Sequence, residues 1–232
     1  MTETPIHRPR LTLFDLDHTL LPLDSDYEWG EFTIRIGWND PVEFARRNDE
    51  FYAHYQAGTL DVHDYVRFAT EAVRQRGPEQ ARAAHERFMR EVIAPAIRPE
   101  AQQLVRQHQQ AGDRVLIVTA TNEFVTRPIA KALGVQELLA MQLARDASGW
   151  YTGAIQGTPT MREGKVQRME EWLSAHGLRW ADVESTFYSD SMNDVPLLER
   201  VDHPVATNPD ARLRALAQER GWRILDLFSA HP

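Results

Sequence analysis

The chain has 232 residues, 26 Lys+Arg against 34 Asp+Glu, a net charge of −8 and no cysteine. That length gives one large domain, or a domain with an insertion, and a 42% hydrophobic fraction excludes a disordered chain. Without cysteine there is no disulfide, no thiolate-bound zinc and no thiol catalysis. The acidic balance argues against a nucleic-acid partner. No apolar run approaches the ~18 residues of a membrane span. The polar residues 1–10 carry no leader-like apolar segment, so a cytoplasmic location is the expectation.

Residues 10–16 read as a buried strand that ends in acid, Leu-Thr-Leu-Phe-Asp. From about 25 to 97 the apolar residues recur at helical spacing, as in Trp29, Phe32 and Ile36, with breaks at Gly37, Gly58 and Gly77-Pro78. Arg98-Pro99 opens a second pattern: helix 99–111, apolar strand 114–118, and helix 123–133 closed by Gly134. A hairpin is expected with arms 138–143 and 150–155. Then come helix 163–176, strand 185–189, short helix 195–200, strand 204–207, helix 209–219 and strand 222–225. Strands alternating with helices predict an α/β fold: a Rossmann-like parallel sheet in three layers, with the helical block inserted after the first strand.

In such a sheet the site lies at the carboxyl ends of the strands. Three strand ends offer suitable chemistry. The first is followed by Asp15-Leu16-Asp17-His18-Thr19, the second by Thr119-Ala120-Thr121-Asn122, and the third by Asp190-Ser191-Met192-Asn193-Asp194. Of the 26 basic residues only two are lysine, Lys131 and Lys165. Lys165 sits in the first turn of a helix, the wrong end of the dipole for a cation, so a purely structural role suits it poorly. His18, within the first motif, reads as a turn or packing residue.

The order strand–DxDxT, strand–Thr, Lys, strand–DxxxD resembles the haloacid dehalogenase superfamily of phosphatases. The insertion directly after the first motif resembles the small-cap branch that includes phosphoserine phosphatase. The resemblance implies a core of residues 1–22 and 98–232 and a helical cap of 23–97. A response-regulator receiver also gathers acids, a Thr and a Lys, but it has half this length and no such insertion. A non-catalytic phospho-ligand-binding protein on the same fold is the alternative from another class.

What the resemblance implies chemically is a Mg2+-dependent phosphomonoester hydrolase of a small phosphorylated metabolite, working through an aspartyl-phosphate. Asp15 would be the nucleophile and Asp17 the acid–base. Asp15, Asp17 (through its backbone carbonyl) and Asp190 would hold the ion, with Asp194 behind them. Thr119, the backbone around Ala120, and Asn193 would bind phosphate, and Lys165 would neutralise charge spreading over the phosphoryl oxygens.

On substrate, phosphoserine enzymes of this branch use an acid nine residues after the nucleophile to hold the amine. Asp24 stands there, with Asp26 nearby. They also use a cap Arg for the carboxylate. Aligning through Gly58 and Leu60 puts Ala69 at that position, with Arg67 pointing elsewhere on the helix. An amine grip without a carboxylate grip suits a phosphorylated amino alcohol. The stretch Leu23-Asp24-Ser25-Asp26-Tyr27 with Trp29-Gly30 also resembles bacterial members associated with histidinol-phosphate hydrolysis. Histidinol phosphate is therefore the expected substrate, with phosphoserine or a broad substrate range as alternatives. The aromatic residues Tyr27, Phe51, Tyr52 and Tyr55 are expected mainly as cap core.

Overall fold

The computed structural model describes residues 8–228, so the reading of the first residues as leaderless falls, for 1–7, outside the described residues. In chain order the elements are β1 (Arg10–Phe14), α1 (Ser25–Arg35), α2 (Pro41–Ala57), α3 (Val62–Ala69) and α4 (Glu71–Phe88). A π-turn at Met89–Ile93 leads to α5 (Ala94–Ala96), then α6 (Pro99–Gln110), β2 (Arg114–Asn122), α7 (Glu123–Ala132) and β3 (Glu137–Met141). The chain continues with β4 (Leu143–Arg145), β5 (Tyr151–Ile155), α8 (Glu163–Ala175), β6 (Glu184–Ser189), α9 (Val195–Leu198), β7 (His203–Thr207), α10 (Ala211–Arg220) and β8 (Arg223–Leu225).

Six strands form one parallel sheet in the order β3-β2-β1-β6-β7-β8. Its central strands are apolar on both faces, as a sheet covered on both sides requires. Alternation along them divides the core in two. Phe14, Val115, Ile117, Tyr188 and Val205 point to one face, where they meet α6 and α7 through Leu104, Val105, Val125 and Ile129. Leu11, Leu13, Leu116, Val118, Phe187 and Ala206 point to the other, against Met169 and Leu173 of α8 and Leu213 and Ala217 of α10. This is the three-layer α/β architecture that the element order predicts.

The helical block between β1 and α6 makes two apolar contacts with the rest of the molecule that set its position. Trp29 of α1 lies 5.2–5.6 Å, centroid to centroid, from the rings of Phe32, His85, Phe88 and Phe124, which ties α1 and α4 to α7. Val66 of α3 packs on Met141 and Leu143, at the small sheet of β4 and β5. Between these supports α2 buries only Phe44 and Asn48.

Three details depart from the sequence reading. The chain keeps the expected breaks at Gly37, Gly58 and Gly77, the last as a kink inside α4 (φ 75°, ψ 175°), and adds one at Thr70. There the hydroxyl donates to the Val66 carbonyl at 2.6 Å, a local bond that competes with helix continuation. The expected hairpin arm 138–143 divides: Glu137–Met141 joins the main sheet as β3, and only Leu143–Arg145 pairs with β5. A short apolar run does not reveal which neighbour it will pair with. Finally, β2 runs on to Asn122, with its register against β3 shifting between Val118 and Asn122. Such an irregularity re-aims side chains at a sheet end.

Candidate active site

Parallel register sets the site. Phe14 pairs with Ile117 on one side and Tyr188 on the other, so β1, β2 and β6 deliver their next residues to one rim. The Asp15 amide donates to the Tyr188 carbonyl at 2.9 Å, extending the ladder by one bond. The chain then turns under Leu16, Leu20 and Leu21, all fully buried. His18 is exposed in the left-handed region (φ 56°), where its carbonyl accepts from the Asn208 amide at 2.8 Å; it is a turn residue. Thr19 links two of the strand ends. Its hydroxyl donates to Asp190 Oδ1 and accepts from the Asp190 amide, both at 3.0 Å.

Lys165 lies at the centre. Its Nζ sits 2.7 Å from Asp15 Oδ1 and 2.7 Å from Asp194 Oδ2, and all three residues are buried. Burial opposes the ammonium form of Lys165; the two carboxylates together outweigh it and hold the group above the ordinary lysine range. Burial pushes Asp15 up to about 6, with Lys165 opposing and Asp194 adding to the rise. Asp190 is also pushed well up, by burial and then by the charges of Asp15 and Asp194. Asp194 Oδ2 additionally accepts from Ser189 Oγ at 2.7 Å. The close approach of α8 depends on Gly164, because a Cβ there would collide with the Pro159 carbonyl.

Asp17 is held differently. Its Oδ1 accepts from the Ser25 amide and its Oδ2 from the Thr121 hydroxyl, each at 2.8 Å. Burial, then the Asp24 charge, raises its carboxyl well above the usual range. Thr119 is buried, with its hydroxyl accepting from the Thr121 amide at 3.2 Å. Asn193 turns its Oδ1 to Arg162 Nε at 3.2 Å. The structure thus brings Asp15, Asp17, Thr119, Ala120, Lys165, Asp190, Asn193 and Asp194 to the wall of one cavity of about 750 Å3.

Asp24 lines the same cavity but serves α1 as well: as N-cap, its Oδ1 accepts from the Asp26 and Tyr27 amides at 3.0 and 2.9 Å. Arg67 does not line it. Arg67 is exposed and pairs with Asp64 on its own helix, whereas Ala69 does face the cavity.

Four lining or supporting residues escaped the sequence reading. Thr121 stood in the quoted motif without a role. Tyr55 was expected as cap core, yet its hydroxyl lies among Asn193, Asp194, Lys165 and Asp15, and burial there keeps the phenol neutral. Tyr65 reaches Asp26 from α3. Arg162, three residues before Lys165, lays its guanidinium over Gly58 in the α2–α3 turn. It does so from a positive-φ backbone (φ 53°, ψ −125°) that no sequence signal announces in a non-glycine residue.

The donor chemistry fits a hard divalent cation. Asp15, Asp190 and Asp194 place three carboxylates against one ammonium, leaving local negative charge, and they offer only oxygen. Among the described residues no three acidic or histidine side chains form a ready metal cage. The Asp17 backbone carbonyl could join the carboxylates of Asp15 and Asp190, with the Asp17 carboxyl group held apart by Ser25 and Thr121.

Comparison with known proteins agrees with this geometry. A family profile described as haloacid dehalogenase-like hydrolase matches residues 12–199. The chain belongs to that family. Histidinol-phosphatase of Neisseria meningitidis serogroup C (strain 8013) is 41% identical over 217 residues, 93% of this chain and 98% of the relative. Phosphoserine phosphatase SerB1 of Mycobacterium tuberculosis (strain ATCC 25618 / H37Rv) is 33% identical, covering 97% of this chain and 73% of the relative. Among solved structures, a protein of unknown function from Bordetella pertussis Tohama I superposes with a TM-score of 0.90 at 51% identity, covering 96% of this chain and 100% of that one. A substrate-bound phosphoserine phosphatase superposes with a TM-score of 0.66 at 16% identity, covering 94% and 93%, which speaks to the fold. This family member is a phosphoric monoester hydrolase. No helix among its described residues is long and apolar enough to cross a membrane.

Proposed function

We propose that the protein hydrolyses histidinol phosphate, with Mg2+ as cofactor and Asp15 as nucleophile. The observation that carries the choice of substrate is the cavity wall. It offers the acids Asp24 and Asp26 and the rings of Tyr27, Phe51 and Tyr52 to a leaving group. From α3 it offers Ala69, while Arg67 of the same helix turns to Asp64. Residues 23–97 act as the cap that carries most of this wall, and residues 1–22 with 98–232 as the core that carries the chemistry. The 41% identity to a histidinol-phosphatase along nearly its whole length supports the same reading.

Mg2+ held by Asp15, Asp190 and the Asp17 carbonyl would offset the repulsion between a phosphate dianion and a carboxylate. Asp15 attacks phosphorus in line and forms the acyl-phosphate, and the P–O bond to the alcohol breaks. Asp17 gives its proton to the leaving alkoxide and takes one back from the water that hydrolyses the intermediate. Thr119, the Ala120 amide and Asn193 hold the phosphoryl oxygens. Lys165 balances their charge and is kept in place by Asp194.

Phosphate release from histidinol phosphate, measured with Mg2+ and again after chelation, tests the reading. Turnover should vanish with the chelator and return with added Mg2+. Full activity in its presence would remove the metal from the scheme, and no release under any condition would remove the substrate.

A further inference from the structure

We propose that Asp26, rather than Asp24, binds the positively charged end of the leaving group. The inference rests on the reading above that this end is cationic, and it names the contact.

Asp26 stands where three elements meet. It lies in the first turn of α1. The Tyr65 hydroxyl of α3 donates to its Oδ2, and the Asn122 amide at the end of β2 donates to its Oδ1 at 3.3 Å. The Asn122 orientation is itself fixed, because its Oδ1 caps α7 by accepting from the Phe124 and Val125 amides at 3.1 and 3.3 Å. Only its NH2 is left for Asp26. Both donors to Asp26 are neutral, and each carboxylate oxygen keeps a lone pair free. Asp24, by contrast, is held only by two backbone amides of its own helix as its N-cap, whereas the Asp26 carboxylate is positioned by side chains from two other elements.

Charge points the same way. Asp17, Asp24 and Asp26 line one cavity, and among the described residues neither Asp24 nor Asp26 forms an ion pair. Of the cations that line the cavity, Lys165 is engaged by Asp15 and Asp194, and Arg162 donates to Asn193; among the described residues neither Arg162 nor Arg212 forms an ion pair with Asp24 or Asp26. Burial pushes the Asp26 carboxyl up to about 7, with the Tyr65 bond opposing and the Asp24 charge adding to the rise. A buried acid with neutral partners is stabilised as an anion by an incoming cation. An ammonium or imidazolium with N–H donors supplies the charge and fills the free lone pairs. Tyr65 stays a neutral donor, since burial and the Asp26 charge raise its phenol well above the usual range.

The test is a pair of isosteric esters, 2-aminoethyl phosphate and n-propyl phosphate, which differ in charge and hardly in shape. The wild-type enzyme should prefer the amine in kcat/KM by roughly 10- to 100-fold, the range of a charge-assisted bond. Asp26→Asn should bring that ratio close to one, chiefly through KM for the amine, with melting temperature confirming the fold. A ratio left intact in Asp26→Asn overturns the assignment. Equal losses on both esters overturn it too, because they mark a purely structural role. Should Asp26→Asn not fold, the wild-type ratio decides: no preference for the amine over its neutral isostere overturns the proposal. The outcome is separable from the choice of histidinol phosphate. A collapsed ratio in an enzyme that ignores histidinol phosphate keeps Asp26 and discards that substrate; the reverse result keeps the substrate and discards Asp26.

Discussion

The rim to which the chemistry is assigned above and the wall proposed to meet the leaving group border the same cavity but are built by different rules. At the rim, Asp15, Asp17, Asp190 and Asp194 follow the ends of β1 and β6, and a parallel ladder with fixed register decides where they stand. At the wall, Asp26, Tyr65 and Tyr55 come from three separate helices, and Asn122 comes from the shifted end of β2. The rim is a tight network of opposite charges around Lys165, whereas the wall holds acids whose partners are neutral. A rim of this kind suits one unvarying step, transfer of a phosphoryl group. A wall carried on helices that pack on α7 and on the β4–β5 sheet can differ in substrate without disturbing that step.

The largest expected effect falls at the rim. Asp15→Asn should lower kcat by about three orders of magnitude or more on every phosphomonoester while the protein stays folded. A residual rate above about 1% of wild type, read with p-nitrophenyl phosphate, would take the nucleophile away from Asp15. Lys165 comes next. Removing it leaves Asp15 and Asp194 buried without their cation, so Lys165→Ala should lose activity and about 3 kcal/mol of stability in denaturant melts. Lys165→Arg should not restore turnover, because a planar fork cannot replace a compact ammonium between two carboxylates. Lys131, exposed on α7, is the control whose replacement leaves both readings unchanged. The smallest effect sharpens the contrast within the wall. Asp24→Ala removes the cap of α1 and should cost about 1 kcal/mol of stability. A melt indistinguishable from wild type would show that α1 does not depend on that cap.

The same contrast explains what the sequence reveals. The rim is legible because strand-end motifs put chemistry at short, fixed spacings: Asp15 and Asp17 two residues apart, Asp190 and Asp194 four apart. The alternation of strands and helices likewise announces the parallel three-layer sheet. The wall is only partly legible. Asp24 and Asp26 are visible as acids, but that Asp24 caps α1 while Asp26 is met by Tyr65 and Asn122 depends on how the helices pack. Tyr65 and Tyr55 have the spacing of helix core residues, and tertiary packing turns them toward the cavity. Arg162 depends on a positive-φ backbone, and the β3 strand on a pairing choice between two sheets; neither leaves a local pattern.

The claim that the rim performs the chemistry while the wall selects a cationic alcohol without a carboxylate is tested most directly by one ratio. It is kcat/KM for histidinol phosphate over kcat/KM for phosphoserine, measured with the same enzyme and Mg2+. With Ala69 facing the cavity and Arg67 of the same helix turned to Asp64, the ratio should be on the order of 10² or more. Phosphoserine hydrolysed as efficiently as histidinol phosphate, or better, would contradict it.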